Sequence, residues 1–145
     1  MLDTDTLSEL SRGNPRVTAR ALEYLSDFGR LTITAVTVFE RLRGYRVAIR
    51  DGKPFERQML AFEALAANCI VLPFDDEAAR IAADIWSATA RRHRQQLGDL
   101  LIASIAASRQ LPLVTRNKRD FEQLLKSSGL DLRLLDWSGL RRPSP

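Results

Sequence analysis

Short apolar runs alternate with longer amphipathic stretches along almost the whole chain, and this alternation restricts the fold more than any other feature. LTITAV (31–36) is rich in β-branched residues, CIVLPF (69–74) and LPLVT (111–115) are short and continuously apolar, and LDLRLLDW (130–137) closes the series. Such runs predict strands, with CIVLPF covered on both faces. Leu2-Asp3 would end a very short first strand. Between them the chain reads as helix. Thr6 to Arg12 gives a turn or two, stopped by Gly13. Asn14-Pro15 supplies a cap and an N1 proline for a helix running to about Phe28 and closed by Gly29. A helix is predicted from about Thr37 to Gly52, and another from about Pro54 with Phe55, Met59, Phe62, Leu65 and Ala66 on one stripe. DDEAARIAADIWSATARRHR carries acids first and bases last, as the helix dipole favours. Gly98-Asp99 opens DLLIASIAASR, nearly all apolar and so predicted central, and RDFEQLLKSSG gives a short helix. The pattern predicts an α/β fold, with a central parallel sheet of about five short strands flanked by helices on both faces. At 145 residues it predicts one domain, 1–145, with a tail from about 137.

What the chain lacks narrows its chemistry. One cysteine (Cys69) excludes an intramolecular disulfide, and with one histidine (His93) a single chain cannot build a Cys/His zinc site. Apolar neighbours predict that Cys69 is a small buried residue. His93 lies in the basic run ARRHRQQ and is predicted to be solvated. Carboxylates remain, and these favour hard cations such as Mg or Mn. Twenty-two Lys and Arg oppose eighteen Asp and Glu, for a net charge of +4, and all but three of the bases are arginines. Arginine binds phosphate in a planar, bidentate way. Its clusters are RLRGYR (41–46), ARRHR (90–94), TRNKR (115–119) and the tail LRRPSP. No apolar run reaches the roughly 20 residues of a membrane span, and the first residues do not read as a secretory signal. The expected location is cytoplasmic.

In open parallel sheets ligands bind beyond the carboxyl ends of the strands. Asp3 follows the first strand, Glu40 the second, and Asp120 the strand LPLVT, while Asp99 begins the apolar helix. Four acids from separate parts of the chain are therefore expected on one rim. Each has a structural alternative: Asp99 and Asp120 as helix caps, Glu40 as the partner of Arg41 or Arg43. Asp99 weighs most, because a charge leading into a buried helix needs a partner and a metal ion supplies one. Asp75 and Asp76 head an exposed helix, and capping explains them.

LDTDTLSEL, VTVFERLRG, GDLLIASIAA and LVTRNKRDF occur here in the order seen in PIN-domain proteins. The chain resembles the VapC-type toxins of that family, the ribonuclease halves of bacterial toxin–antitoxin pairs, and LRLLDW resembles their final strand. The resemblance implies an acidic tetrad of Asp3, Glu40, Asp99 and Asp120. Asp3 and Asp99 would be the direct ligands of Mg or Mn. Thr115 and Asn117 match polar positions lining the same site. It further implies an RNA substrate, a homodimer, and a small DNA-binding antitoxin with a segment lying over the acidic pocket. Only Met1 and Leu2 precede Asp3, fewer than in relatives: either the first strand is trimmed here, and a frayed strand would loosen Asp3, or the true start lies upstream.

The chemistry agrees with these residues. Cutting a phosphodiester needs an activated water, neutralised phosphoryl charge and help for the leaving oxygen, all within reach of one or two divalent ions held by acids. Clustered carboxylates repel one another, and a metal relieves that repulsion. Glu40 or Asp120 would orient or deprotonate the water, and Arg116, Arg119 and Arg43 would steer the RNA backbone. No aromatic stacking surface is legible. Two rivals stand beside this reading. LDTDTL also resembles the Asp-x-Asp-x-Thr of haloacid-dehalogenase-like phosphatases, with Asp3 as nucleophile and Asp5 as acid–base; Lys53 and Asp75-Asp76 would have to complete it, leaving Asp99 and Asp120 idle. The second is a non-enzymatic PIN-fold partner of a DNA-binding antitoxin, acting in transcriptional regulation. On the nuclease reading Asp5 or Thr6 caps the first helix, so replacing Asp5 should cost stability more than chemistry.

Overall fold

The computed structural model describes residues 1–89, 96–126 and 128–139. In chain order the elements are α1 (Thr4–Ser11), α2 (Pro15–Phe28), β1 (Thr32–Thr34), α3 (Ala35–Arg50), α4 (Glu56–Ala67), β2 (Ile70–Leu72), α5 (Asp76–Ala88), α6 (Leu97–Ser108), β3 (Leu113–Val114), α7 (Lys118–Lys126) and β4 (Leu134–Leu135). The basic end predicted for α5, with His93 and ARRHR, and the LRRPSP tail lie outside the described residues.

The expected single central sheet is not what forms. Among the described residues there are two small parallel sheets of two strands each: β1 with β2, in the register Thr32 to Ile70, and β3 with β4, in the register Leu113 to Leu134. The predicted first strand contributes one isolated bridge, Leu2 to Val114. Side-chain capping explains why the ladders stay short. Thr34 ends β1 by accepting a hydrogen bond from Thr37 N at 3.0 Å, which starts α3 at Ala35 and takes the end of LTITAV into helix. Asp3 ends the first segment in the same way, and Thr115 follows β3 by accepting from Asn117 N at 2.9 Å. A hydroxyl or carboxylate that satisfies the next helix's free N–H groups competes with continued strand pairing.

β2 departs from expectation too. Ile70 and Val71 are 44% and 41% exposed, so this strand is an uncovered edge rather than one buried on both faces. A continuous apolar run does not distinguish the two cases. Cys69, just before it, is buried as predicted. The stripe predicted on α4 buries only Phe62 fully.

Other signals hold. Asn14 accepts from Arg16 N and Val17 N at 3.1 and 3.4 Å, Pro15 occupies the first turn, and Gly29 closes α2 with a positive φ of 75°. α6 is the central helix: Leu100, Ile102, Ala103, Ser104, Ile105 and Ala106 are all buried. It joins Ile85 of α5, Phe121 and Leu124 of α7 and Leu113 of β3 in one apolar cluster. A second cluster gathers Leu2, Leu7, Ala21, Ile33, Phe62 and Val114. Each fully buried Leu, Ile or Phe contributes about 1.5–3 kcal/mol against its exposed state. Among the described residues no helix is long and apolar enough to cross a membrane. The two clusters flank the Met1–Asp3 segment, which carries the first of the predicted site acids.

Candidate active site

Asp3 is only 3% exposed. Its backbone is held from both sheets: Leu2 N donates to Thr32 O at 2.8 Å, Asp3 N to Val114 O at 3.0 Å, and Val114 N to Met1 O at 2.8 Å. The Met1 amine donates to Pro112 O at 2.9 Å, and burial lowers its pKa to about 6. The segment is thus anchored, and the shortness of the strand does not loosen Asp3. Asp3 is also the cap of α1, since its Oδ1 accepts from Thr6 N at 2.7 Å. Neither Asp5 nor Thr6 has that role. Thr6 instead donates its hydroxyl to Val114 O at 3.1 Å, and Asp5 is exposed in the first turn of α1. Burial raises the Asp3 pKa; hydrogen bonds from the Thr115 side chain and from Thr6 oppose that shift, and the Asp5 charge adds to it.

Glu40 sits half-buried on α3, one and a half turns from the cap at Thr34. Its Oε2 accepts from Thr4 Oγ1 at 2.5 Å, and Thr4 lies 3.4 Å from Thr37 Oγ1, which is 3.1 Å from Thr34 Oγ1. The alternative of a Glu40–Arg pair is not met among the described residues. Arg41 turns away to Ser8 Oγ at 2.8 Å and hydrogen bonds Tyr45, while Arg43 lies over the Phe39 ring, 5.4 Å from its centroid. Thr4 and Gly98 are the residues that sequence reasoning missed. A Cβ at Gly98 would stand 2.0 Å from Glu40 Oε1, so the missing side chain makes room for the carboxylate. In the sequence Gly98 reads only as a helix start, because nothing local reveals that α3 approaches there.

Asp99 occupies the first turn of α6 without capping it: the cap position is Gln96, and no side chain closes that end. Its pKa is raised to about 7, first by burial and then by the charges of Asp3, Glu40, Asp5 and Asp120. The other three predicted acids therefore all act on Asp99, and Asp5 acts with them. Asp120, in the first turn of α7, accepts from Asn117 Nδ2 at 2.7 Å. Through Asn117 N to Thr115 Oγ1, and the Thr115 side chain to Asp3, one hydrogen-bonded chain connects Asp120 to Asp3.

The predicted phosphate-steering arginines divide. Arg116 lies 3.4 Å from Glu9 Oε1, and Arg119 is exposed on α7. Lys53 and the Asp75-Asp76 pair do not build the phosphatase alternative: Asp75 caps α5 and pairs with Arg109, and Asp76 holds Arg80 at 2.8 Å.

The donor set is entirely carboxylate and hydroxyl oxygen, which suits a hard divalent cation. The buried Asp3 and the raised pKa of Asp99 mark an excess of negative charge that such an ion would relieve. Among the described residues, however, no three of His, Cys, Asp and Glu stand together closely enough to hold a metal ion. Asp3 is turned to Thr6 N and Glu40 to Thr4, so their oxygens satisfy protein donors instead.

Residues 1–126 match the model of a family described as PIN domain. The chain is 36% identical over 112 residues to the tRNA(fMet)-specific endonuclease VapC of Shigella flexneri, covering 76% of this chain and 77% of that protein. It is 26% identical over 140 residues to Ribonuclease VapC1 of Haemophilus influenzae (strain R2866), covering 95% and 97%. Among solved structures, DNA-bound VapBC from Salmonella typhimurium is similar with a TM-score of 0.70 at 26% identity, over 94% of this chain and 96% of that one.

Proposed function

Since the chain belongs to the PIN-domain family and is a VapC-type toxin of a toxin–antitoxin system, we propose that it is a Mg- or Mn-dependent endoribonuclease whose site is Asp3, Glu40, Asp99 and Asp120. One observation carries this reading: Asp99, raised to about 7, is buried within the field of four other carboxylates, Asp3, Glu40, Asp5 and Asp120. Asp3 and Asp99 would hold the ion, which when bound polarises the phosphate and lowers the pKa of water.

The chain's own residues divide the remaining work. Asp99 is about half protonated at pH 7 and would give up that proton on binding a cation. Glu40, fixed by Thr4 and by the space above Gly98, orients the attacking water and receives its proton; Asp120, oriented by Asn117, is the other group of this kind. In the hydrolysis the water oxygen bonds to phosphorus, one P–O ester bond breaks, and the leaving oxygen takes a proton from solvent. Arg43, Arg116 and Arg119 draw the RNA backbone toward the acids. The reading includes a cytoplasmic location, a homodimer, and a small DNA-binding antitoxin whose segment covers the acids. The similarity to a DNA-bound VapBC complex supports the antitoxin.

The uncontracted carboxylates favour one rival, a PIN-fold partner that assists a DNA-binding antitoxin without cutting RNA. Purified, antitoxin-free protein tested on pooled RNAs with Mg or Mn, against excess EDTA and beside Asp99→Asn, separates the two. Metal-dependent cutting lost in the variant is the expected result. Equal cutting by both proteins removes Asp99 from the site, and no cutting by either favours the regulatory partner.

A further inference from the structure

Next to Glu40 the surface opens into a cleft of ≈ 460 Å³ lined by Phe39, Glu40, Arg43, Leu97, Gly98 and Leu101, among others. Phe39 is 59% exposed and Leu97 50%, so a large aromatic and a large aliphatic side chain face solvent on the same cleft as Glu40. A second depression of ≈ 340 Å³ continues along α3. It shares Phe39 and Arg43 with the first and adds Leu42, Arg46 and Val47. Arg43 lies over the Phe39 ring, and among the described residues neither Arg43 nor Arg46 has an ion-pair partner. VTVFERLRG alone does not reveal that Phe39 stands exposed on this surface.

We propose that Phe39 is the stacking platform for a base of single-stranded RNA next to the cut phosphate, with Arg43 and Arg46 carrying the backbone onward along α3. The inference rests on the nuclease reading and deepens it. Non-specific recognition of single strands combines a basic track with an aromatic face, because every base has a π-surface and every link a phosphate. Both are present here, and the cleft that holds Phe39 is the one that Glu40 enters. Arg43 and Arg46 are three residues apart, about 4.5 Å along the helix axis, so successive phosphates can engage both. Ala35, Val36, Phe39, Leu42 and Val47 line the two depressions from α3, and Arg43 and Arg46 set among them two cations without ion-pair partners among the described residues, which favours a polyanion over an apolar partner helix.

The test is binding of a fluorescein-labelled, mixed-sequence single-stranded RNA to the full-length, antitoxin-free chain, by anisotropy in EDTA, together with metal-dependent cutting of the same RNA. Phe39→Ala should weaken binding about five- to hundredfold, the size of one base-stacking contact, and raise KM far more than it lowers kcat. Phe39→Trp should restore affinity, which a purely structural role would not predict. Arg43→Ala and Arg46→Ala should each reduce the slope of log affinity against log salt by about 0.7. The inference is overturned by Phe39→Ala binding RNA as tightly as the unchanged protein. It is equally overturned if that substitution disrupts dimer formation or antitoxin binding and leaves RNA affinity intact, making the cleft a protein interface. Absence of any RNA binding by the unchanged chain removes the nuclease reading and this inference together; Asp99-dependent cutting with an indifferent Phe39 removes only the latter.

Discussion

The carboxylate of Glu40 occupies the space that a side chain at position 98 would fill: a Cβ on Gly98 would stand 2.0 Å from Glu40 Oε1 and 3.1 Å from Cδ. α3 and α6 thus meet through a glycine against an acid, beside Asp99. Because Glu40 is flexible, Gly98→Ala should be absorbed by swinging its carboxylate away from Thr4 rather than by unfolding. The expected result is a melting temperature close to that of the unchanged protein, with kcat for RNA cleavage reduced roughly tenfold to a hundredfold by misplacement of the group. Steady-state kinetics and thermal melts check it. Unaltered kcat would mean that the position of Glu40 is unimportant.

Asp3 caps α1 and is the proposed metal ligand, two roles that substitution can separate. Asn keeps an oxygen to accept from Thr6 N, so Asp3→Asn should abolish cleavage with little loss of stability. Asp3→Ala removes the cap as well and should cost about 1 kcal/mol more. Asp5 caps nothing, so Asp5→Asn should leave the melting temperature nearly unchanged, the reverse of what its sequence position suggests. Chemical denaturation of the three variants decides between these outcomes.

The charge on Asp99 makes stability depend on pH with a definite sign. Its folded pKa is raised from 3.8 to about 7, so between those values the folded state binds more protons than the unfolded state. Stability of the metal-free protein should therefore fall as pH rises from about 4 to about 7, and stay low above that. Asp99→Asn should flatten this part of the profile and melt higher than the unchanged protein at pH 8. Thermal melts across the range test this; a variant less stable at pH 8 would show that Asp99 is favourably paired rather than crowded.

How much of this was legible in the sequence varies with the range of the physics involved. Local chemistry was readable: the Asn14-Pro15 start and Gly29 stop of α2, and the apolar α6, are determined by residues within a few positions of each other. Acids placed after strands or at helix starts were likewise readable as candidates, and three of the four carboxylates whose charges act on Asp99 were among them. Asp5 was assigned to capping because a cap can be filled by either of two nearby residues, and the choice depends on where the Asp3 backbone is pinned. Strand pairing was the least legible. Thr34 diverts chain into helix before LTITAV ends, and Asp3 and Thr115 close the segments that they end, so predicted strands shrink to two separate pairs. The exposure of Ile70 and Val71 depends on an empty neighbouring edge, which no local pattern encodes. Thr4 and Gly98 matter through contacts with α3, more than thirty residues away from Thr4 in sequence.

The account's central claim is that these carboxylates bind a divalent cation through Asp99. Calorimetric titration of the antitoxin-free chain with Mn at pH 7, repeated in buffers of different ionisation enthalpy, tests it most directly. The account predicts binding accompanied by release of about half a proton, because Asp99 is half protonated at its pKa of about 7, with both signals lost in Asp99→Asn. Binding of equal strength in Asp99→Asn, or no binding by the unchanged chain, would contradict it.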